Sequence, residues 1–160
     1  MRGPGALFAA WTLHDVEEAV AFPQTCDRLA DRTGAERLRM DGRQSWAAVG
    51  MMAVLVGTSC LRGERTRGRS RLYRAVLAGL EAHVGTHLIA SAVLRGYTAG
   101  VATAVPVMLP GAVLARRELE RRGAPLRSRE YAVGAAVLIP AALLCHLLAR
   151  LLPAKTRTRR

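Results

Sequence analysis

The first residues that could do chemistry lie in the stretch HDVEEA near the start of the chain. His14, Glu17 and Glu18 are spaced by three and four residues, so on a helix they project from one face. Imidazole and carboxylate groups on one face are typical ligands of a divalent metal ion. Two adjacent glutamates also repel each other within a mostly apolar stretch. The spacing therefore predicts a site where a cation, a proton or a metal offsets the acidic charge.

A second group lies in the middle of the chain, where two histidines are four residues apart and share a helical face. That spacing suits joint ligation of one metal ion or of two adjacent ions. Asp15 points about 100° away from His14, and we expect it to be solvated or to lie between helices. The predicted metal ligands are His14, Glu17, Glu18, His83, His87 and His146, and Glu17 and Glu18 are also the predicted catalytic residues.

Five apolar segments must position these side chains. The second, fourth and fifth segments are apolar on every face, whereas a helix of a soluble bundle shows a polar stripe. Pro23 predicts the end of the first helix. The pattern indicates an all-α, polytopic transmembrane bundle, a single domain over 1–160 with about five spanning helices and a basic tail at 153–160. The predicted helices cover about 4–22, 45–61, 72–95, 98–115 and 131–152.

In such a bundle the polar residues share a depth. The first, third and fifth helices run in the same direction, and all six predicted ligands then fall in the same half of the bilayer. A carboxylate at the centre of a spanning helix costs about 2.5–3.5 kcal/mol on insertion scales. No lysine or arginine lies at matching depth, so a bound divalent metal ion accounts for the cluster. A structural polar network or a proton relay remains an open alternative.

The charge distribution favours a lipid bilayer as the partner of this chain. The formal net charge is +12, and the arginines cluster at 62–74, 116–129 and 150–160 between long uncharged runs. Such clusters are typical of membrane-flanking segments rather than of a nucleic-acid surface, so no nucleic-acid partner is expected. The basic residues are nearly balanced between the two sides. We therefore expect a multi-pass protein of the cell membrane, with its orientation left open.

The motif also carries a family resemblance. The stretch HDVEEAVAFP resembles the signature of the HXXEE family of small bacterial membrane proteins, with His14, Glu17 and Glu18 in the named positions. In a later block of that family, an Asn and a His four apart precede a Tyr-Thr-Pro-Gly turn. Here His87 matches that histidine, His83 occupies the Asn position, and the turn reads YTAG. The resemblance covers about residues 5–120 and implies a multi-helix membrane fold, without a settled activity.

The chemistry of the site leads to the functional prediction. We expect a membrane-embedded metal-dependent enzyme, with one or two iron ions favoured over zinc, that acts as an oxidase or oxygenase on a small or lipophilic substrate. Zinc would instead indicate a membrane hydrolase with a glutamate as general base. A non-enzymatic transporter, a proton relay or an accessory subunit stays open, as do a redox partner and a homo-oligomer. The GxxxG pattern of Gly96 and Gly100 indicates either a partner contact or close packing of neighbouring helices.

Overall fold

The computed structural model describes residues 3–153, and this part of the chain is helical without a strand. Residues 154–160, nearly all of the predicted basic tail, lie outside the described residues, as do residues 1–2. A 3₁₀ turn follows the first helix, and a π-helical turn joins the fourth and fifth. The helices are α1 Gly3–Thr33, α2 Gly42–Arg65, α3 Arg71–Val93, α4 Val101–Thr103, α5 Leu109–Arg121 and α6 Ser128–Ala149; the 3₁₀ turn is Glu36–Leu38 and the π turn Ala104–Met108.

Helix α1 is longer than the sequence predicted, because Pro23 lies inside it and does not end it. A proline inside a helix removes one backbone hydrogen bond and costs about 3 kcal/mol. Beyond Pro23, however, the helix buries Cys26 and Ala30, and Cys26 packs in an apolar cluster with Met40 and Ala48. This tertiary packing holds the second half of α1 in place, so the predicted end at residue 22 was wrong.

Helix α2 also begins earlier than predicted, at Gly42 rather than at residue 45. The Asp41 side chain accepts a hydrogen bond from the Gln44 backbone N–H at 2.9 Å, and the Gln44 side chain accepts one from the Asp41 N–H at 3.1 Å. This reciprocal capping box satisfies backbone donors that the first turn would otherwise leave free. The boundaries of α3 and α6 differ from the predicted ones by three residues or fewer.

The predicted fourth helix, 98–115, is three consecutive segments in the structure. A single turn, α4, leads into the π turn, and α5 continues to Arg121. Pro106 lies inside the π turn and Pro110 in the first turn of α5. Each proline lacks an N–H and crowds the carbonyl four residues earlier, so a wider turn at this place relieves both defects. The π turn directly follows Thr103, which contacts the site described below.

The helices pack closely where small residues meet. Helix α3 lies chiefly against α6, and α1 lies against α2 and α5. A Cβ atom placed on Gly79 of α3 would come within 3.0 Å of the Gly134 backbone of α6, so the two helices approach at near-backbone distance. The core between α1, α3 and α5 includes Leu7, Leu77 and Met108, which are almost wholly buried. The side chains of α1 and α3 then meet in the polar group described below.

Three of the helices, α2, α3 and α6, are long and apolar enough to cross a membrane. They contain 24, 23 and 22 residues, and about 20 residues are needed to span the hydrocarbon layer. Helix α6 also leaves large apolar side chains such as Ile139, Leu143 and Leu147 about 60% exposed. Exposed apolar area of this extent is typical of a surface that faces lipid.

Candidate metal centre

Four of the predicted ligands meet between α1 and α3. His14 and Glu18 come from α1, His83 and His87 from α3, and one ligand atom from each lies within 4.8 Å of the other three. The His87 Nε2 atom is central: it lies 3.1 Å from His14 Nε2, 2.8 Å from His83 Nε2 and 3.6 Å from a Glu18 carboxylate oxygen. His14 and His87 are almost fully buried. The structure thus gathers three imidazoles and one carboxylate at one point.

The local sequence explains why these side chains converge. His14 and Glu18 are four residues apart on α1, and so are His83 and His87 on α3, so each helix presents two ligands on one stripe. The rings of His83 and His87 meet edge to face with centroids 4.3 Å apart, and those of His14 and His87 do so at 4.7 Å. Two helices, each with an i, i+4 pair, therefore suffice to build the group.

The hydrogen-bond partner of His87 fixes which of its nitrogens carries the proton. Its Nδ1 lies 2.9 Å from the Ala99 carbonyl oxygen. A carbonyl oxygen only accepts hydrogen bonds, so the Nδ1–H of His87 donates to it. In a neutral imidazole the other nitrogen, Nε2, then presents a lone pair. This lone pair points into the four-residue group.

The same reasoning applies to His14. Its Nδ1 lies 2.9 Å from the Thr103 hydroxyl oxygen. That hydroxyl donates its only proton to the Glu17 carboxylate. Its oxygen must therefore accept from the Nδ1–H of His14, and His14 Nε2 also presents a lone pair.

His83 completes the pattern. Its Nδ1 lies 3.0 Å from the Thr86 hydroxyl oxygen, and that hydroxyl donates to the His83 carbonyl at 2.7 Å. The Thr86 oxygen thus accepts from Nδ1–H, which leaves the third Nε2 unprotonated. Three lone pairs face one another at hydrogen-bond distance with no proton between them. Such an arrangement is repulsive until a cation or an added proton lies at its centre, and histidines held at Nδ1 by second-shell acceptors are typical of metal ligands.

Glu17 lies outside the four-residue group, although the sequence predicted it as a ligand and as a catalytic residue. Its carboxylate accepts hydrogen bonds from the Tyr97 hydroxyl, from the Thr103 hydroxyl, and from the backbone N–H groups of Ala102 and Thr103 at 3.2 and 2.8 Å. Partial desolvation and the bond to Glu17 raise the pKa of Tyr97 to about 12, so the phenol keeps the proton that it donates. Glu17 thus fastens α4 to α1 and, through Thr103, orients His14.

Gly100 has a role that the GxxxG pattern did not predict, because it lies against the imidazoles of the site. It adopts a φ of 83°, and a Cβ atom there would lie 2.5 Å from His87 Cε1 and 2.9 Å from His14 Cε1. Only glycine fits this position, because both the backbone conformation and the two imidazole rings exclude a side chain. Gly96, its partner in the GxxxG pattern, is exposed, and a Cβ there would meet only the Leu94 carbonyl oxygen at 3.9 Å. The pattern therefore serves the imidazole pair rather than a helix crossing.

A cavity of about 380 Å³ adjoins the group, and Glu18 and His83 form part of its wall. His146, the sixth predicted ligand, also lines this cavity, but it is not in the four-residue group. Its ring packs on Phe22 with centroids 4.6 Å apart, and its Nδ1 donates to the Ala142 carbonyl at 2.8 Å. Asp15 lines the same cavity and is only 6% exposed. Of the two alternatives expected for Asp15, solvated or between helices, the structure has the second.

Another carboxylate, Glu81, is neutralised in a different way. Its two oxygens accept from Arg116 Nε at 2.9 Å and from the Tyr131 hydroxyl at 2.8 Å. Arg116 therefore supplies a positive charge between helices, which the sequence analysis had not anticipated for this part of the bundle. The sequence shows an arginine on the helix that follows α3. The face on which it lies depends on the π turn, which the sequence did not predict.

The fold and the site define a class of protein: an all-helical bundle, with helices of membrane-spanning length, that holds a candidate metal centre of three histidines and one glutamate. A family model described as a protein of unknown function with HXXEE motif matches residues 6–115. The chain belongs to this HXXEE family, as its sequence predicted. No curated protein and no solved structure matches the chain significantly.

Proposed function

We propose that the chain is a membrane-embedded, metal-dependent oxidoreductase that holds one metal ion at His14, Glu18, His83 and His87 and acts on a small lipophilic substrate. The observation that carries the proposal is the convergence of three histidine Nε2 atoms on one point beside a carboxylate. Ligands bound to one ion at about 2.0–2.2 Å stand about 3.0–3.5 Å apart, close to the distances in the group.

The geometry favours one ion over two. Four ligand atoms within 4.8 Å of one another match the first shell of a single ion. A two-metal site needs further carboxylates that bridge or cap the second ion. Of the two neighbouring acids, Glu17 has its oxygens engaged by Tyr97, Ala102 and Thr103, and Asp15 lies outside the four-residue group. We therefore propose a centre with one metal ion rather than two.

The number of ligands favours iron over zinc for an enzyme. Zinc in catalytic sites takes three protein ligands and leaves its fourth position open, so four protein ligands would close a tetrahedral zinc site. An ion that prefers six ligands, such as ferrous iron, would retain two open positions in the same cage. When bound, iron would supply the capacity to activate dioxygen as oxidant. The protein's part is to orient the imidazoles through Ala99, Thr103 and Thr86 and to exclude water.

The proposal includes five membrane crossings, made by α1, α2, α3, residues 101–121 and α6. Helix α1 is not among the three helices that are apolar enough to span by composition, because it contains Asp15, Glu17 and Glu18. These acids face the site, the cavity or α4 rather than the outside of the bundle. Residues 101–121 are helical throughout, as α4, the π turn and α5 in succession. Their combined length is sufficient to span.

Topology can be measured by cysteine labelling in intact membranes. Replacement of the three native cysteines, Cys26, Cys60 and Cys145, gives a background in which Arg67→Cys and Arg95→Cys are labelled separately. The proposal expects an impermeant maleimide to reach these two loops from opposite sides of the membrane. Labelling of both from one side would refute a spanning α3.

The metal site is tested by elemental analysis and cobalt substitution of the detergent-purified chain. We expect one equivalent of metal per chain, with ferrous iron bound after anaerobic reconstitution. Cobalt(II) in the same site should give the weak visible absorption of a five- or six-coordinate ion. Intense tetrahedral cobalt bands would indicate a closed, zinc-like site and would remove the oxidoreductase proposal, since no position would remain for dioxygen or substrate.

A second function, a proton relay, is favoured by one specific observation. A chain of contacts runs from His83 through His87 and His14 to Thr103, and from there to Glu17 and the exposed Tyr97. Groups of this kind in membrane helices often carry protons. Vesicles that contain the protein and a trapped pH-sensitive dye distinguish the two: proton flux that His87→Ala abolishes, in protein free of metal, would support the relay over the enzyme.

A further inference from the structure

The cavity beside the site contains a buried acid that the metal proposal does not use. The cavity measures about 380 Å³, within the roughly 300–1,000 Å³ range of small-molecule sites. Its wall is mostly apolar, with residues from α1, α2, α3 and α6. Asp15 is one of its few polar residues, is more than nine-tenths buried and makes no hydrogen bond to any group in residues 3–153. A buried carboxyl without a partner is costly, so a ligand that offers a donor would be stabilised there.

The opening of the cavity indicates where a ligand would come from. Ile139 and Leu143 of α6 line it and are also about 60% exposed, and Thr86 of α3 stands at the same rim. Helix α6 is long and apolar enough to cross a membrane. A molecule that enters between α3 and α6 would therefore come from the hydrocarbon region of the bilayer, which requires an apolar body.

Charge limits the head group of such a molecule. Asp15 and Glu18 both line the cavity, so an anionic head group would face two acids. A divalent ion with three neutral histidines and Glu18 would carry a net positive charge, so an ammonium head group would be repelled by the metal. A neutral hydroxyl meets neither penalty. It donates to the Asp15 carboxyl, and its oxygen has a lone pair free for the centre at Glu18 and His83.

We propose that this cavity binds an apolar molecule with a single hydroxyl head group, a lipophilic alcohol, and that Asp15 holds the hydroxyl beside the metal centre. The inference deepens the proposed function, on which its account of the head group partly rests. Asp15 is then a specificity-determining residue that contacts substrate. The rest of the cavity supplies the apolar surface, with Trp11 and Phe22 on its wall.

Trp11 provides a direct reporter, because it lines the cavity and is 3% exposed. The chain has two tryptophans, so Trp46→Phe leaves Trp11 as the single fluorophore. The full-length protein in detergent is titrated with decan-1-ol, decane, decanoate and decylammonium at matched ratios to detergent. We expect saturable quenching by decan-1-ol at an affinity about tenfold higher than that for each of the other three probes.

Two variants locate the binding. Asp15→Leu should lower the affinity for decan-1-ol about tenfold and leave that for decane unchanged. Ala142→Phe, which fills the cavity, should remove the response to every probe. Asp15→Asn keeps the size of the side chain and serves if the leucine variant does not fold, with an expected loss of about threefold. Equal affinity for decan-1-ol and decane, or an Asp15→Asn protein identical to the parent, would overturn the inference.

The titration is run on metal-loaded and on chelator-treated protein, so that the two proposals fail separately. A preference for decan-1-ol over decane that depends on Asp15, in protein unable to bind metal, would uphold the alcohol site and remove the metalloenzyme. One equivalent of bound metal without selectivity for the alcohol would leave the metalloenzyme standing and remove the alcohol site.

Discussion

Two clusters in the bundle hold carboxylates between helices, and they balance the charge in different ways. Glu81 is paired with Arg116 and accepts a further bond from Tyr131, so its cluster is complete within the protein. Glu18 lies 3.6 Å from His87, and within residues 3–153 no lysine or arginine pairs with it. Buried polar groups between these helices are therefore stabilised in two ways: one cluster is an ion pair within the protein, and the other, on the proposed function, takes its positive charge from a bound cation.

The largest effect is expected from His87→Ala. Within residues 3–153, this variant removes the side chain that contacts both other histidines and Glu18. Metal affinity should fall about 100-fold or more, measured by elemental analysis after dialysis against a weak chelator. His146→Ala is the matched control, since that ring lies outside the group, and it should keep its full metal content. Loss of metal in both variants to the same extent would contradict the assignment of ligands.

The adjacent glutamates offer a second comparison. Glu18→Gln should abolish stoichiometric metal binding, because the amide lacks the charge that offsets the ion. Glu17→Gln should retain metal with about tenfold lower affinity, since it disturbs His14 only through Thr103. Glu17→Gln should instead lower the melting temperature, because an amide cannot accept all four hydrogen bonds. If Glu17→Gln loses more metal than Glu18→Gln, the roles of the two residues are reversed.

Gly100 and Gly96 test whether the glycine pattern serves the imidazoles. In Gly100→Ala the new methyl group meets two histidine rings and a positive φ, which costs roughly 1–3 kcal/mol from the backbone alone. The melting temperature should fall by about 4–8 °C, and metal binding should weaken. Gly96→Ala has room and should change neither quantity. Equal effects would indicate a helix-packing role for the whole pattern.

A change in the Glu81 cluster should lower the stability of the protein without changing its metal content. Glu81→Gln removes the charged partner of Arg116 on α3 and leaves Arg116 paired only with Glu120 on its own helix, at a cost of about 1–3 kcal/mol. We expect a lower melting temperature by thermal scanning and an unchanged metal equivalent. A loss of metal in Glu81→Gln at a temperature where the protein is folded would show that the two clusters are not independent.

The smallest effect on metal is expected from Asp15→Asn, because Asp15 lines the cavity and lies outside the ligand group. Metal affinity should change by less than about threefold, whereas alcohol binding should change as described above. Metal loss as severe as in Glu18→Gln would place Asp15 in the first shell and would require a different orientation of α1.

The sequence was sufficient for the family and for the helical class, and its six predicted ligands include the four residues that meet in the group as well as Glu17 and His146, which lie outside it. The i, i+4 spacing of His14 with Glu18 and of His83 with His87 holds in any regular helix, so faces could be read directly. The position of Glu17 could not be read, because its partners Ala102 and Thr103 are more than eighty residues away and precede a π turn. The predicted helix end at Pro23 was wrong for a related reason. The tendency of proline to end a helix was outweighed by the tertiary packing of Cys26 and Ala30.

The central claim is most directly tested by the metal content of the purified full-length chain, measured by elemental analysis after reconstitution with iron, zinc and manganese in parallel. The account predicts one equivalent per chain in the wild type, and under one-tenth of an equivalent, at about the detection floor, in a protein with His14, His83 and His87 all replaced by alanine. Equal metal content in these two proteins, whether one equivalent or none, would contradict it.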